Sequence, residues 1–456
     1  MARTKSSRPV ALRPGESRPL ARPRGKARRA VLACLVATGI AAGAGFAPAA
    51  GRDTRKEGAQ AAGMERALTL EDAIALAMER NPRVLKAGQG LDAARGRRLQ
   101  LEAVPNPELT FEALGLPLWS SAGEREFSLG LSQLIEFPGK RSVRKELGLA
   151  GEAEAGLEFE RVRKVVRGQV KRAYLRAAYA QRRLAELESI LSTLDEYTSL
   201  AVERYKSGQV PYLDVIRGRL ETLRLRNDLV EARRELKDRG LALNLLLGGR
   251  GFEPFEFSSG IPYEPLGLSR EELEAAALSG SALRLAESAR KQADLSLTLA
   301  RKARLPDFSM GLFVPSKRLG SWGVEFGLTL PLRGGAFRGA ALEAEAAARQ
   351  AELTVGGTTR GVLYVLARAY EDATALEEQI RLFQDTLLRD VQESLQAALA
   401  GYRYGKSDAL GVLDIVRGLK ESRAEFLRAL LNHSLALVDI ATAGEGGDIG
   451  VEDGEY

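Results

Sequence analysis

The sequence predicts a mainly α-helical fold with a small β part, in which a unit of short helices, β-hairpin, long helix, turn and long helix occurs twice. Three observations carry that reading. A helical-turn motif at Tyr205–Glu221 (YKSGQVPYLDVIRGRLE) returns at Tyr402–Glu421 (YRYGKSDALGVLDIVRGLKE); each copy sets a glycine three residues after a tyrosine, then an apolar run with an aspartate and Arg-Gly. Helix-forming runs beside these motifs reach about 65 residues, roughly 100 Å at 1.5 Å per residue. Short windows in both halves alternate between apolar and small or polar residues, the period of a strand. Self-similarity of this kind marks a duplicated architecture.

Composition and charge narrow the class. Of 456 residues 45% are hydrophobic, 28% charged and only 6% aromatic, and a chain rich in Ala, Leu, Glu and Arg leans toward long helices. The formal charge of +7 would suit a nucleic-acid partner, but its distribution argues against one. Ten of the 67 Lys/Arg and one of the 60 Asp/Glu lie in residues 1–49, leaving 57 basic and 59 acidic side chains, a net of −2. Met1–Arg29 is basic, Ala30–Phe46 is apolar and Ala47-Pro48-Ala49 supplies small residues. That order is the n-region, h-region and cleavage site of a signal peptide, assigned to residues 1–49. The only cysteine, Cys34, falls inside the h-region; the alternative, Cys34 as a lipidated first residue, leaves only Ala30–Ala33 as apolar core. An exported chain without disulfides depends on its core or on oligomerisation. Beyond the leader no apolar stretch reaches the roughly 18 residues of a spanning helix, so any membrane crossing must be made by a barrel.

Taken in order, residues 50–67 are small, polar and extended. Thr69 caps the helical pattern TLEDAIALAMERNP, with acids in its first turn; Asn81-Pro82 ends it, and a second pattern runs from Arg83 to about Glu102. Leu109, Phe111 and Ala113 then share one face of a strand. After a turn around Ser120–Gly123 the alternation resumes at Phe127, Leu129, Leu131 and Gln133, giving a hairpin. From Gly139 to about Lys206 the chain reads as one helix, with Leu184, Leu187, Leu191 and Leu194 in the 3,4,3 spacing of a coiled-coil seam. Gly208 reverses the chain as a left-handed cap. A return helix from Pro211 to Leu247 repeats the rhythm in Leu213, Ile216, Leu220 and Leu223.

This first repeat covers residues 68–248, a linker covers 249–267, and the second repeat covers 268–443. LSREELEAAAL at Leu268 answers LTLEDAIALA at Leu68, Pro306-Asp307 answers Pro105-Asn106, and VEFGLTLPL at Val324 answers REFSLGLSQL at Arg125. A long helix from Phe337 to about Ala400, the Gly405 turn and a last helix ending near Ala443 complete it. Residues 444–456 form an acidic, glycine-rich tail, expected to be disordered.

Four strands cannot close a barrel, and an open edge is not tolerated in lipid, so a spanning sheet must be completed by further copies of the chain. Phe127, Leu129 and Leu131, with Val324, Phe326, Leu328 and Leu330, give an apolar face; their alternates Ser128, Gly130, Ser132, Glu325, Gly327 and Thr329 suit a water-filled interior. Soluble hairpins packed on the helices are the competing interpretation. The duplicated helix starts, the LSQLIEFPGKR and LTLPLRGGAFR strand-to-helix junctions and the two tyrosine-glycine turns together resemble the TolC-type outer-membrane efflux channels, over nearly the whole chain after the leader. EFPGKR at Glu136–Arg141 is similar to the heavy-metal (CzcC/CusC-like) subgroup. The resemblance implies a homotrimer with a trimeric α-barrel and a 12-stranded transmembrane β-barrel, four strands per chain, in contact with outer-membrane lipid. It also implies a periplasmic α-barrel with an equatorial belt at 249–267, docked to a periplasmic adaptor protein and an inner-membrane efflux pump. The implied function is passive conduction of metal ions or small toxic compounds across the outer membrane of a Gram-negative-type cell. An exported coiled-coil scaffold without a pore is the alternative.

In that family the inner ends of the coiled helices close the pore through a tyrosine, aspartates and a basic residue. The gate candidates are therefore Tyr402, Lys406, Asp414, Asp214 and Tyr205, on turns made by Gly208 and Gly405. The strand–helix junction is Pro138, Gly139, Lys140 and Arg141. Anchoring on the glycines gives an offset of 197; pairing the Leu-Asp and Arg-Gly motifs gives 200, and the sequence leaves both open. Where the family carries an arginine after the second glycine this chain has Ser407, with Lys406 beside it. Three copies of Asp414 around an axis would form an acidic ring favouring cations, while the plainer alternative makes Asp214 and Asp414 helix-start residues favoured by the dipole. His433 is the only histidine, and with Cys34 in the leader no metal cluster of recognisable spacing remains. No phosphate loop and no Ser-His-Asp set is present. The expectation is a non-enzyme without cofactor or nucleic-acid partner.

Overall fold

The computed structural model describes residues 67–114, 126–249, 257, 260–261, 263–315, 321–331 and 334–446, all within one unit, Gly63–Tyr456. The leader assigned to residues 1–49, the turn expected at Ser120–Gly123 and residues 447–456 of the tail lie outside the described residues.

Helix α1 (Leu70–Arg80) begins where Thr69 Oγ1 accepts the Asp72 amide at 3.1 Å. Asn81 then ends α1 and starts α2 (Pro82–Glu102), its side chain accepting from the Arg83 amide at 2.9 Å. The same side chain donates to Leu246 O at 2.7 Å, so the Asn-Pro break docks on the end of a later helix. The second repeat opens on the same kind of cap as Thr69. Ser269 and Glu272 form a reciprocal capping box before α5 (Arg270–Leu278), followed by α6 (Ser281–Lys302).

Strands β1 (Glu108–Leu114), β2 (Glu126–Ile135), β3 (Asp307–Pro315) and β4 (Gly323–Thr329) form one antiparallel sheet in that order. The two repeats are therefore joined along β2 and β3. Cross-strand register lines up Phe111 with Leu129, Leu131 with Leu312, Leu312 with Val324 and Met310 with Phe326. All of these side chains are exposed on one continuous apolar face. The opposite face carries Gly130, Phe313, Ser132, Gly311, Ser309 and Gly327 in register with one another. The alternation read from the sequence is present in β1, β2 and β4, and β3 carries Phe308, Met310, Leu312 and Val314 on the same face.

From the sheet two long helical arms extend. Helix α3 (Lys140–Lys206) is unbroken over 67 residues, about 100 Å, and α4 (Tyr212–Leu246) returns beside it. The second arm departs from the single helix expected from Phe337 to Ala400. Helix α7 (Gly334–Leu382) passes through a π-helical turn at Phe383–Leu387 into α8 (Leu388–Arg403), and α9 (Ala409–Thr442) returns between α3 and α7. Among the described residues no helix is long and apolar enough to cross a membrane.

The seams also shift. The buried line on α3 is Leu187, Ile190, Leu194, Tyr197 and Ala201, while Leu184 and Leu191 are only partly buried. Helix α3 packs on α4 and on α9 at once, so apolar residues occupy two adjacent stripes and the 3,4 pattern has two solutions. On α4 the buried line is Val215, Gly218, Thr222, Leu225 and Leu229. The expected seam of Leu213, Ile216, Leu220 and Leu223 lies exposed on its other side.

One further expectation changes. The tail does not leave the fold at Gly444: Ala443–Glu445 make a buried 3₁₀ turn, with Glu445 paired to Lys164 at 2.6 Å. His433 is fully buried, its ring 5.4 Å from that of Tyr263 and its Nε2 3.5 Å from Glu377. Burial holds its pKa below the ordinary histidine value, against the opposing pull of Glu377.

Candidate channel mouth and strand–helix junction

The two helical turns are built alike. At the first, Gly208 (φ +74°) donates to Tyr205 O at 2.9 Å and Gln209 to Arg204 O at 2.9 Å. At the second, Gly405 (φ +76°) donates to Tyr402 O at 3.2 Å and Lys406 to Gly401 O at 2.7 Å. Such positive φ angles are strained for any residue with a side chain, so glycine is required at both. Every partner repeats at an offset of 197, which settles the register at the turns. In that register Asp214 corresponds to Gly411 and Asp414 to Arg217, so the two aspartates are not copies of one another.

Their surroundings diverge accordingly. Tyr205 is exposed and tilts against Tyr212 at 5.2 Å between ring centroids. Tyr402 is buried. Its ring lies 5.1 Å from that of Tyr197, and the Arg204 guanidinium sits 4.9 Å over it while also donating to the Tyr402 carbonyl. Asp214 is buried beside the pair, its carboxylate 3.8 Å from Arg217. Neither phenol oxygen has a well-formed hydrogen bond. Burial first, and the Asp214 carboxylate after it, push the Tyr402 phenol up; burial and then Tyr402 do the same to Tyr197. The site thus holds two buried, neutral phenols beside the Asp214 side chain. Asp414 and Lys406 are exposed and do not join this cluster. Sequence reasoning missed Tyr197 and Arg204, because what makes them notable is a partner some two hundred residues away.

Ion pairs tie the two hairpins together behind the turns. Arg403 meets Glu196 at 3.4 Å, Arg417 meets Glu221 at 2.9 Å, Lys420 meets Asp228 at 2.8 Å and Arg423 meets Glu186 at 2.8 Å. The hydrogen bond from Arg417 holds the Glu221 carboxyl below the usual range. All four cations stand on α8 or α9, and all four acids on α3 or α4.

At the other end of α3 each residue of the junction has a task. Pro138 leads into Gly139, whose φ of +90° turns strand into helix. Lys140 is buried, 2.8 Å from Asp307 Oδ1 and donating to Leu305 O at 2.8 Å. The Phe137 amide reaches the same Asp307 oxygen at 2.9 Å. Arg141 donates to Glu102 O at 3.2 Å. Lys140 and Asp307 therefore bolt the β2–α3 junction of one repeat to the α6–β3 junction of the other. Among the described residues no three His, Cys, Asp or Glu side chains converge as a metal site.

Comparison with known proteins agrees with this geometry. The chain is 26% identical over 373 residues to the cobalt-zinc-cadmium resistance protein CzcC of Cupriavidus metallidurans, covering 80% of this chain and 86% of that protein. It is 27% identical over 405 residues to the cation efflux system protein CusC of Escherichia coli O157:H7, covering 82% and 85%. A solved structure of CusC superposes with a TM-score of 0.68 at 23% identity, over 82% of this chain and 91% of that one. The sequence model for outer membrane efflux proteins matches residues 73–249 and 273–443, one block in each repeat. A chain whose halves both match that model, with a four-stranded sheet apolar on its outer face, belongs to the outer membrane efflux protein family.

Proposed function

We propose that three copies of this chain close into the outer-membrane conduit of a tripartite efflux system, taking cargo from an inner-membrane pump and a periplasmic adaptor and passing it passively outward. The observation that carries the proposal is the open sheet. Its apolar face needs lipid, and its edge strands β1 and β4 run in opposite directions. β4 of one copy can therefore pair antiparallel with β1 of the next, and three copies give twelve strands, an even-numbered barrel.

The helical arm supports the same assembly. Leu213, Ile216, Leu220, Leu223 and Val230 leave a 3,4,3,7 stripe exposed along α4, and a second copy would cover it. The turns at Gly208 and Gly405 then form the far mouth of the α-barrel. There Tyr402 and Asp214 hold the second hairpin against the first. Asp414, Lys406 and Tyr205 remain at the surface, where Asp414 can line the opening. The cargo class is metal cations, on the strength of the EFPGKR junction and the two relatives. The conduit acts without catalysis or cofactor.

Detergent extraction from outer membranes, followed by mass determination and single-channel recording in planar bilayers, tests the proposal. A trimer with discrete conductance steps is expected. A soluble elongated oligomer without conductance would replace the conduit with a coiled-coil scaffold.

A further inference from the structure

Helix α9 ends beside a groove with a basic rim. An open cavity of about 600 Å³ lies between α3, α7 and the end of α9, bordered by Arg83, Arg161, Arg172 and Arg368 and by Asp372 and Asp439. Two of the arginines are committed to acids: Arg161 meets Glu158 at 2.8 Å, and Arg172 Nε meets Asp439 Oδ1 at 2.9 Å. The other two are held loosely. Arg83 donates to the neutral Gln169 at 3.3 Å, and Arg368 stands 3.9 Å from Asp372 with both side chains exposed. Gly446, the last described residue, belongs to the lining and turns with φ +68°. A Cβ added there would stand 3.3 Å from that of Ala282, so glycine lets the chain pass close to α6. The residue before it already bonds to basic side chains of α3: Glu445 pairs with Lys164 at 2.6 Å, and its carbonyl accepts from Arg161 at 3.5 Å. After Gly446 come ten residues, GDIGVEDGEY, with four acids (Asp448, Glu452, Asp453 and Glu455) and no base.

We propose that residues 447–456 lie along this groove as an acidic strap, holding α3, α7 and the end of α9 of their own chain together. Attachment favours this occupant over a separate acidic partner. The strap starts inside the groove, so only a short loop has to close, and its effective concentration there is on the order of millimolar. Its reach is sufficient. Ten extended residues span about 33 Å, whereas Arg161 to Arg172 on α3 cover about 17 Å at 1.5 Å per residue. The charges match as well. The strap supplies four carboxylates to a rim of four arginines and two aspartates, and the planar guanidinium forks of Arg83 and Arg368 suit two-point pairing with a carboxylate. Ile449 and Val451 can rest on Val165, Val365 and Ala369, which line the same groove. Contacts between exposed charges are individually weak and screened by salt, so the strap is releasable.

Spin labels at Val451→Cys and Tyr364→Cys test this in the purified full-length oligomer, with labelled chains diluted among unlabelled ones so that only distances within one chain are read. At low salt the otherwise wild-type chain should give a narrow, short distance that broadens as salt is raised. Arg83→Glu with Arg368→Glu should abolish the short distance. Changing Asp448, Glu452, Asp453 and Glu455 to lysine should do the same, and combining the two reversals should restore it. The tail reversal alters no described residue, so it decides the matter even if the groove variant folds poorly. A broad distribution at low salt without either reversal overturns the strap. A short distance that survives either reversal alone, or is not restored by combining them, overturns the pairing of tail acids with groove arginines. A short distance seen only without dilution means that the tail reaches a neighbouring copy, which overturns a strap within one chain.

Discussion

Replacing Lys140 with methionine keeps the packing of its stem and removes the ammonium group, with its charge and its hydrogen bonds. The Lys140 side chain is 9% exposed and that of Asp307 27%, with 2.8 Å between Nζ and Oδ1. Removing one member of a buried pair costs about 3–5 kcal/mol, because the other is left charged without a partner. Here Asp307 keeps some solvent and still accepts the Phe137 amide, which lowers the expected loss to about 2–3 kcal/mol. Leu305 O also loses its donor. For a chain of this size such a loss lowers the melting temperature by a few degrees. The measurement is thermal unfolding of the detergent-solubilised oligomer at fixed protein concentration, since assembly and apparent stability are linked. Adding Asp307→Asn to Lys140→Met removes the stranded charge, so the double variant should melt above the single one. A single variant that melts as wild type, or a double variant showing the sum of two independent losses, refutes the claim that this pair bolts the repeats together.

Other variants probe the mouth, the assembly and the core. Leu220→Lys with Leu223→Lys places charge in the exposed stripe of α4 and should lower the trimer fraction in size-exclusion chromatography with light scattering; an unchanged trimer removes that stripe from the interface. Asp414→Ala should reduce cation selectivity, read as a shift in reversal potential across a salt gradient, and no shift takes Asp414 out of the lumen. His433 is buried with its pKa below the ordinary value of about 6.5. Its contribution to stability is therefore complete above that pH and lost as pH falls through the lower, folded-state value. Wild type should thus lose more melting temperature between pH 7.5 and pH 5 than His433→Gln, and equal losses would show that another group dominates.

Much of the fold is legible in the sequence because its determinants are local. Thr69, Asn81-Pro82, Gly208 and Gly405 each fix an element boundary through their own backbone chemistry. Period-two alternation similarly identifies the strands, whose two faces meet different surroundings. Features that depend on a distant partner are not legible. Leu184 to Leu194 gives a correct helix and half of its buried line, Leu187 and Leu194, while Leu184 and Leu191 are only partly buried, because α9, more than two hundred residues later, shares the packing of α3 with α4. The leucines of α4 follow a seam pattern, yet within this chain they are exposed; only the proposed assembly would give them cover. Residues 383–387 hold neither glycine nor proline, so nothing in the local sequence announces the π-turn. At the candidate mouth, Tyr402 and Asp214 are marked by the repeated motif, whereas Tyr197 and Arg204 acquire their roles only through contact.

Duplication alone would build a wall, since two equivalent hairpins packed side by side have no reason to move relative to each other. The two copies nevertheless differ, and several of the differences lie at the turns. With the caps superposed at 197, Asp214 on α4 stands where α9 has Gly411, and Arg217 stands where α9 has Asp414. Tyr205 faces outward where Tyr402 faces in, and the unbroken α3 stands where α7 gives way to the π-turn. Asp214 adds an acid to the first hairpin, the Arg217/Asp414 exchange runs the other way, and only the second arm carries a π-turn. The backbone turn that required glycine in both copies stayed constant because its geometry tolerates no side chain. The side chains around it had no such constraint, and it is there that the two halves became unlike.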